Sequence, residues 1–144
     1  MIKPNFFGVM FLSIALIGCS SIDSKNVHSE VLAPSSISGQ TIEFTINAGS
    51  GGFASTGTWT VEIFDTKNQY LVTGDTVNTS NTVGVYQYSA NGNKGKIYFV
   101  DSAVGKGHLY LTYTSSTSGT YVADKLNHSS ANQSGSFVEQ KIIN

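Results

Sequence analysis

The chain has 144 residues, enough for one domain, and its sparse charges nearly balance, with a formal net charge of −1 at pH 7. All eight basic residues are lysines. Guanidinium groups dominate the planar recognition of bases and phosphates, and no basic stripe is present, so the composition argues against nucleic-acid binding. The single cysteine excludes an internal disulfide framework, and the fold must therefore rest on its apolar core.

The first nineteen residues have the pattern of a secretion signal. Lys3 supplies a positive charge, and residues 6–17 form an apolar stretch too short to span a bilayer. The sequence LIGC at 16–19 then resembles the lipobox of bacterial lipoproteins. This resemblance implies cleavage before Cys19, lipid attachment to its sulfur and anchoring of the mature chain in a membrane. Ser20 is not the aspartate of an inner-membrane retention signal, so in a Gram-negative cell the resemblance implies the outer membrane of the envelope.

These patterns divide the chain into a signal peptide at 1–18, a lipidated tether at 19–38 and a domain at 39–144. The tether is polar, rich in serine and contains Pro34. Such a composition is typical of a flexible linker that lifts a domain off a lipid surface.

The domain shows period-two alternation of apolar and polar residues, which indicates half-buried strands. The predicted strands are 41–47, 58–64, 69–77, 82–90, 95–101, 107–115, 119–126 and 135–143. Asn91-Gly92, between the fourth and fifth of them, is a strong hairpin signal. We therefore expect an all-β fold, a small antiparallel up-and-down barrel of about eight strands. A two-sheet β-sandwich is the alternative.

Part of this domain also resembles a known group of proteins. The segment 84–137 combines a Tyr-rich strand, a hairpin, the run LTYTSSTSGTY and a final SGSF strand. This pattern is similar to small calycin-like barrels, including MoaF-like domains. The resemblance implies a barrel fold, and it provides no catalytic residue to place in this chain.

The histidines do not predict a metal site. His28 lies in the tether, His108 opens the sixth predicted strand, and His128 lies in the polar stretch 127–133, read as a loop. None has a second ligand at metal-binding spacing, so we expect neither a metal nor another cofactor. The glycine-rich stretch 49–52 is not followed by a helix that could hold a phosphate, and a mobile loop is expected there.

The carboxylates do not predict an enzyme either. The candidates are Glu43, Glu62, Asp65, Asp75, Asp101, Asp124 and Glu139. Glu43 and Glu62 alternate with apolar neighbours and should point to solvent, whereas aspartates near strand ends usually serve turns. With no nucleophile motif either, we expect no catalytic residue.

Aromatic residues occur in most of the predicted strands. They fit either a packed core or a pocket in which Tyr and Trp orient an apolar ligand. For the second interpretation the candidate pocket residues are Trp59, Tyr86 and Tyr88.

A short phrase recurs in the chain as SGTYVADK at 118–125, SGSFVEQK at 134–141 and, more loosely, TGTWTVEI at 56–63. Its glycines are expected to take turn or bulge conformations, and its aromatic residues to anchor the core.

The copy within STSGTY, at 116–121, is also similar to a loop of small barrel lipoproteins that inhibit c-type lysozyme. The chain lacks their cysteine pair, and its spacing from Gly to Tyr is short. Ser118, Gly119 and Tyr121 are the candidate residues of such a contact loop.

Together the patterns predict a non-enzymatic envelope lipoprotein that binds a small apolar ligand in its barrel or has a structural role. The alternative is a protein-binding module, such as an inhibitor of lysozyme or another hydrolase. An uncharacterised enzyme is the third reading. Whether the barrel is hollow or filled is the most informative further observation, and alternation reports only which way side chains face.

Overall fold

The computed structural model describes residues 30–64, 68–74, 81–126 and 128–142. These residues form eight β-strands, which are β1 (Gln40–Gly49), β2 (Gly57–Ile63), β3 (Gln69–Gly74), β4 (Thr82–Asn91), β5 (Lys94–Asp101), β6 (Gly105–Tyr113), β7 (Ser118–Lys125) and β8 (His128–Lys141). The predicted signal peptide at 1–18 and Cys19 lie outside the described residues. Among those described, no helix has the length and apolar character needed to cross a bilayer.

The strands form one closed antiparallel barrel in chain order. Each strand pairs with the next, and β1 also pairs with β8 from Gln40 opposite Lys141 to Gly49 opposite Gln133. The predicted up-and-down barrel is therefore confirmed, and the sandwich alternative is excluded. Because the ring of strands is complete, the sheet has no unpaired edge.

The interior is built by the alternation seen in the sequence. Ile42, Phe44 and Ile46 of β1 are buried, whereas Glu43 and Thr45 between them are exposed. The same pattern holds in β5, β6 and β7. The strands form where they do because each contributes one apolar face to a shared core.

Strand β8 is longer than predicted. It begins at His128, so residues 128–133 of the stretch expected to be a loop supply its first part. Ala131 and Gln133 face inward and are buried there. This part of the strand was not predicted, because Gln133, one of its inward-facing residues, is polar and interrupts the alternation of apolar and polar residues.

The β4–β5 hairpin forms where the sequence predicts it, with a shift of one residue. Asn91 pairs with Lys94, so Gly92 and Asn93 are the two central residues of the turn. Gly92 has a φ of 55°, a value that glycine adopts without steric cost.

The barrel has two different ends. At the lower end, defined as the end where β1, β3, β5 and β7 begin, residues 31–38 cross the opening. Ile37 is 0 % exposed, and the amide of Ala33 donates to the Gly92 carbonyl at 2.9 Å. The hydroxyl of Tyr88 donates to the Pro34 carbonyl, also at 2.9 Å. The last part of the predicted tether thus packs against the barrel and closes its lower end.

Two copies of the recurring phrase meet inside the barrel. Gly119 pairs with Phe137, and Gly135 pairs with Tyr121. A Cβ on Gly119 would overlap the Thr112 carbonyl and press on the Phe137 ring, and one on Gly135 would meet the Tyr121 ring. These two glycines are extended strand residues, not the expected turns or bulges, and each makes room for the other copy's aromatic ring. Tyr121 and Phe137 anchor the core, as predicted.

Candidate ligand-binding cavity

The upper half of the barrel is hollow. It encloses a cavity of about 310 Å³. At the upper end, the described residues that line it are Gly52, Phe53 and Ala54 of the β1–β2 loop and Ala103 and Val104 of the β5–β6 turn, and these form the cavity mouth. This volume lies at the lower limit for small-molecule sites and holds about ten groups the size of a water molecule.

The cavity wall consists almost entirely of apolar, inward-facing side chains. They are Ile42, Phe44, Ile46, Trp59, Val61, Ile63, Tyr70, Val72, Tyr86, Ile97, Phe99, Leu109 and Ala123. Such a wall suits an apolar ligand, because apolar side chains lose no hydrogen bond when water is displaced from them.

Aromatic side chains form one side of this wall. The rings of Phe44 and Trp59 stack with a centroid distance of 4.3 Å, and Tyr121 meets Phe44 edge-on at 4.8 Å. The Trp59 indole N–H is buried and makes no hydrogen bond with any described residue. Burial raises the pKa of Tyr121, and the nearby Trp59 N–H opposes that rise. Trp59 is therefore a probe placed directly in the cavity wall.

Asp101 is the only carboxylate among the described residues that line the cavity. It is 6 % exposed, and four donors occupy its two oxygens. Oδ1 accepts from the amides of Ala103 and Val104 at 2.7 and 3.0 Å, and Oδ2 accepts from the hydroxyls of Tyr70 and Thr82 at 3.2 and 2.9 Å. Its acceptor positions are thereby filled. The predicted turn role of Asp101 is confirmed.

Tyr70 remains a donor in this network. Burial and the charge of Asp101 both raise the pKa of Tyr70 well above its usual range. The protonated hydroxyl therefore stays hydrogen-bonded to the carboxylate, and the network presents little free polarity to a ligand.

Gln133 attaches the β1–β2 loop to the barrel. Its Oε1 accepts from the Tyr121 hydroxyl at 2.9 Å, and its Nε2 donates to the Ala54 carbonyl at 3.0 Å. Ser50 adds bonds from its amide and its hydroxyl to Asn132. The stretch 49–52, expected to be a mobile loop, is thus tied to β8, and Phe53 is held at the cavity mouth.

The predicted pocket residues separate between the two ends of the barrel. Trp59 and Tyr86 line the cavity, whereas Tyr88 does not. Tyr86 and Tyr88 share one face of β4, but Tyr88 lies nearer the closed lower end, where it binds Pro34. Tyr88 is therefore a structural residue, and Tyr70, which sequence reasoning did not single out, takes its place in the wall.

A second polar cluster lies at the lower end, outside the cavity. The hydroxyl of Tyr113 donates to the buried carboxylate of Glu139. Burial raises the pKa of Glu139, and the bond from Tyr113 opposes this only in part. Residues 31–38 cover this end, and neither Tyr113 nor Glu139 lines the cavity.

The predicted contact loop is not exposed as a unit. Tyr121 is 1 % exposed and Gly119 is buried, because both face the core. Ser118 is partly exposed, and its hydroxyl lies 2.7 Å from that of Ser115. Two of the three candidate residues therefore cannot touch a partner protein in this structure.

The outer wall carries a histidine–carboxylate pair. His108 Nδ1 lies 3.3 Å from Asp124 Oδ1, but the Asp124 side chain is 42 % exposed and neither residue lines the cavity. Within the described ranges, no group of three or more His, Cys, Asp or Glu side chains could hold a metal ion. His28, Asp65, Asp75 and the side chain of His128 lie outside what the structure describes.

Comparison of the chain with known protein families, with curated proteins and with solved structures finds no match.

Proposed function

We propose that this chain is a non-enzymatic, lipid-anchored protein of the bacterial cell envelope that binds a small apolar ligand inside its barrel. The hollow upper half of the barrel carries the proposal: a cavity of about 310 Å³ with an apolar wall and an open mouth. A purely structural barrel of this size could be filled by its own side chains. Here the lower half is filled in that way, and the upper half is not.

The polar groups of the site support an apolar ligand. Asp101, Tyr70, Thr82 and Gln133 are all hydrogen-bonded to one another or to neighbouring protein groups. Polar groups that recognise a hydrophilic ligand need free donors or acceptors, because an unpaired buried group costs about 1–3 kcal/mol. Apart from the buried Trp59 N–H, these lining groups offer no free donor or acceptor, and the apolar part of the ligand is recognised by shape and burial.

A titration tests the binding. Decan-1-ol is added to the purified protein while the emission of Trp59, the only tryptophan, is recorded. We expect a saturable change that Ala123→Leu reduces, because Ala123 lines the cavity and leucine would fill about a third of it. Val122→Leu is the matched control, since Val122 is the outward-facing neighbour. A flat emission signal in the parent protein would contradict the proposal.

The lipid anchor needs its own test. Cells that express the full chain are labelled with radioactive palmitate, and the protein is recovered. We expect the label in the parent chain and none in Cys19→Ala. Equal labelling, or none in either chain, would contradict an anchor on Cys19, and cell fractionation would then show where the protein resides.

A further inference from the structure

One lysine occupies an inward-facing position at the open end of the barrel. Along β7, Tyr121 and Ala123 face the interior and are buried, and Lys125 is the next residue of the same face. Its partner across the sheet is Gly107, which is also inward-facing and buried. The pairing of β7 with β8 shifts register between Asp124 and Lys125, but the pairing with β6 stays regular through Lys125. The register with β6 therefore directs the Lys125 side chain toward the barrel axis, at the last level before the cavity mouth.

The ammonium group of Lys125 lies beside the cavity mouth. Its Nζ is 4.6 Å from the centroid of the Phe53 ring, and Phe53 lines the cavity. Among the described residues, no carboxylate forms an ion pair with it; the one pair found joins His108 and Asp124 on the outer wall. An ammonium that is half-buried and balanced only by an aromatic face attracts an anion.

The carboxylate at the same end does not compete for a ligand. Both oxygens of Asp101 are occupied by two amides and two hydroxyls. A cationic ligand head would have to displace these donors to reach Asp101. An anionic head would pair with Lys125 without breaking any ion pair made by the described residues. The charges that the described residues place at the cavity mouth thus favour an anionic head.

We propose that the ligand is an amphiphile whose apolar tail of about ten carbons fills the cavity and whose anionic head pairs with Lys125 at the cavity mouth. This inference rests on the proposed function. No lysine lies among the described lining residues deeper in the barrel, and burying an unpaired anion there would be costly. The head therefore stays at the mouth and the tail points inward.

Three probes with the same tail and different heads test the proposal: sodium decanoate, decan-1-ol and decylammonium chloride. Their binding is followed by Trp59 emission in the parent protein and in Lys125→Gln. Glutamine keeps most of the aliphatic stem that covers Phe53 and removes the charge. Lys106→Gln is the matched control, because Lys106 is exposed on the adjacent strand and faces outward.

We expect Lys125→Gln to weaken decanoate about two- to fivefold, the effect of a partly exposed ion pair, and to leave decan-1-ol unchanged. Added salt should weaken decanoate in the parent protein and have little effect in Lys125→Gln. Lys106→Gln should alter neither probe. Equal thermal midpoints of the three proteins would show that folding is intact.

The other outcomes are distinct. Decanoate binding that does not depend on Lys125, or tighter binding of decylammonium than of decanoate, overturns the anionic head and leaves the cavity function standing. Failure of all three probes to bind overturns the proposed function and this inference together.

Discussion

The packing of residues 31–38 against the lower end leads to a prediction about Ile37. This side chain is 0 % exposed, although it belongs to a serine-rich segment that was predicted to be a flexible tether. Ile37→Ala removes three carbon groups worth about 0.8 kcal/mol each in transfer free energy. A residual cavity adds to this loss, so we expect the free energy of unfolding to fall by about 2–4 kcal/mol.

Urea unfolding followed by far-UV circular dichroism and Trp59 emission measures this change. A loss of about 2–4 kcal/mol lowers the midpoint by about 1–2 M urea at an unchanged denaturant slope. Leu32→Ala is the control on the same segment, because Leu32 is 58 % exposed. Its effect should stay within about 0.5 kcal/mol.

The reasoning fails if Ile37→Ala costs no more than Leu32→Ala. The segment would then not belong to the cooperative unit, and the domain would begin near residue 39. A larger loss would instead show that the closed lower end is part of the folded domain.

Three further changes test the packing elsewhere. Burial raises the folded-state pKa of Glu139, so the protonated carboxyl stabilises the fold fully below its unfolded-state pKa, and this contribution is lost as pH rises through the folded-state pKa. The free energy of unfolding measured across pH should therefore decline less with rising pH in Glu139→Gln than in the parent protein. The same dependence on pH in both proteins would contradict this prediction. In urea unfolding, Gly119→Ala should lower the free energy of unfolding by about 2 kcal/mol or more, because the new Cβ overlaps the Thr112 backbone. Gly92→Ala should lower it by about 1 kcal/mol, because its positive φ is strained for alanine but no atom lies close to the new Cβ. A larger loss for Gly92→Ala than for Gly119→Ala would refute this reasoning. Asp101→Asn replaces one accepting oxygen by an NH₂ group that faces hydrogen-bond donors. Thermal unfolding should then show a loss of about 1–3 kcal/mol in the free energy of unfolding. An unchanged thermal midpoint would contradict this prediction.

The fold could be predicted because all eight strands obey one rule. Each contributes an apolar inner face, so alternation located them, apart from the beginning of β8. There the inward residue Gln133 is polar, and it is buried because both ends of its amide are hydrogen-bonded. Side-chain pairing of this kind depends on residues far apart in the sequence, which no local pattern reveals.

The site was only partly predictable. Trp59 and Tyr86 line the cavity as expected, whereas Tyr88, two residues from Tyr86 on the same face, closes the opposite end. Alternation identifies the face of a strand, and depth along a tilted barrel depends on the register of all its strands. The burial of Ile37 could not be predicted either, because a single apolar residue in a polar segment forms no periodic pattern.

The pairing of β1 with β8 also has a consequence for folding. Every other pairing joins strands that follow each other in the chain, so each can form by closing a hairpin or a short loop. The final pairing brings Gln40 to Lys141, at opposite ends of the domain. The entropy cost of closing this long loop falls only after the hairpins between the two strands have formed. We therefore expect this seam to close late, after the folding transition state, and substitutions along it to accelerate unfolding more than they slow folding.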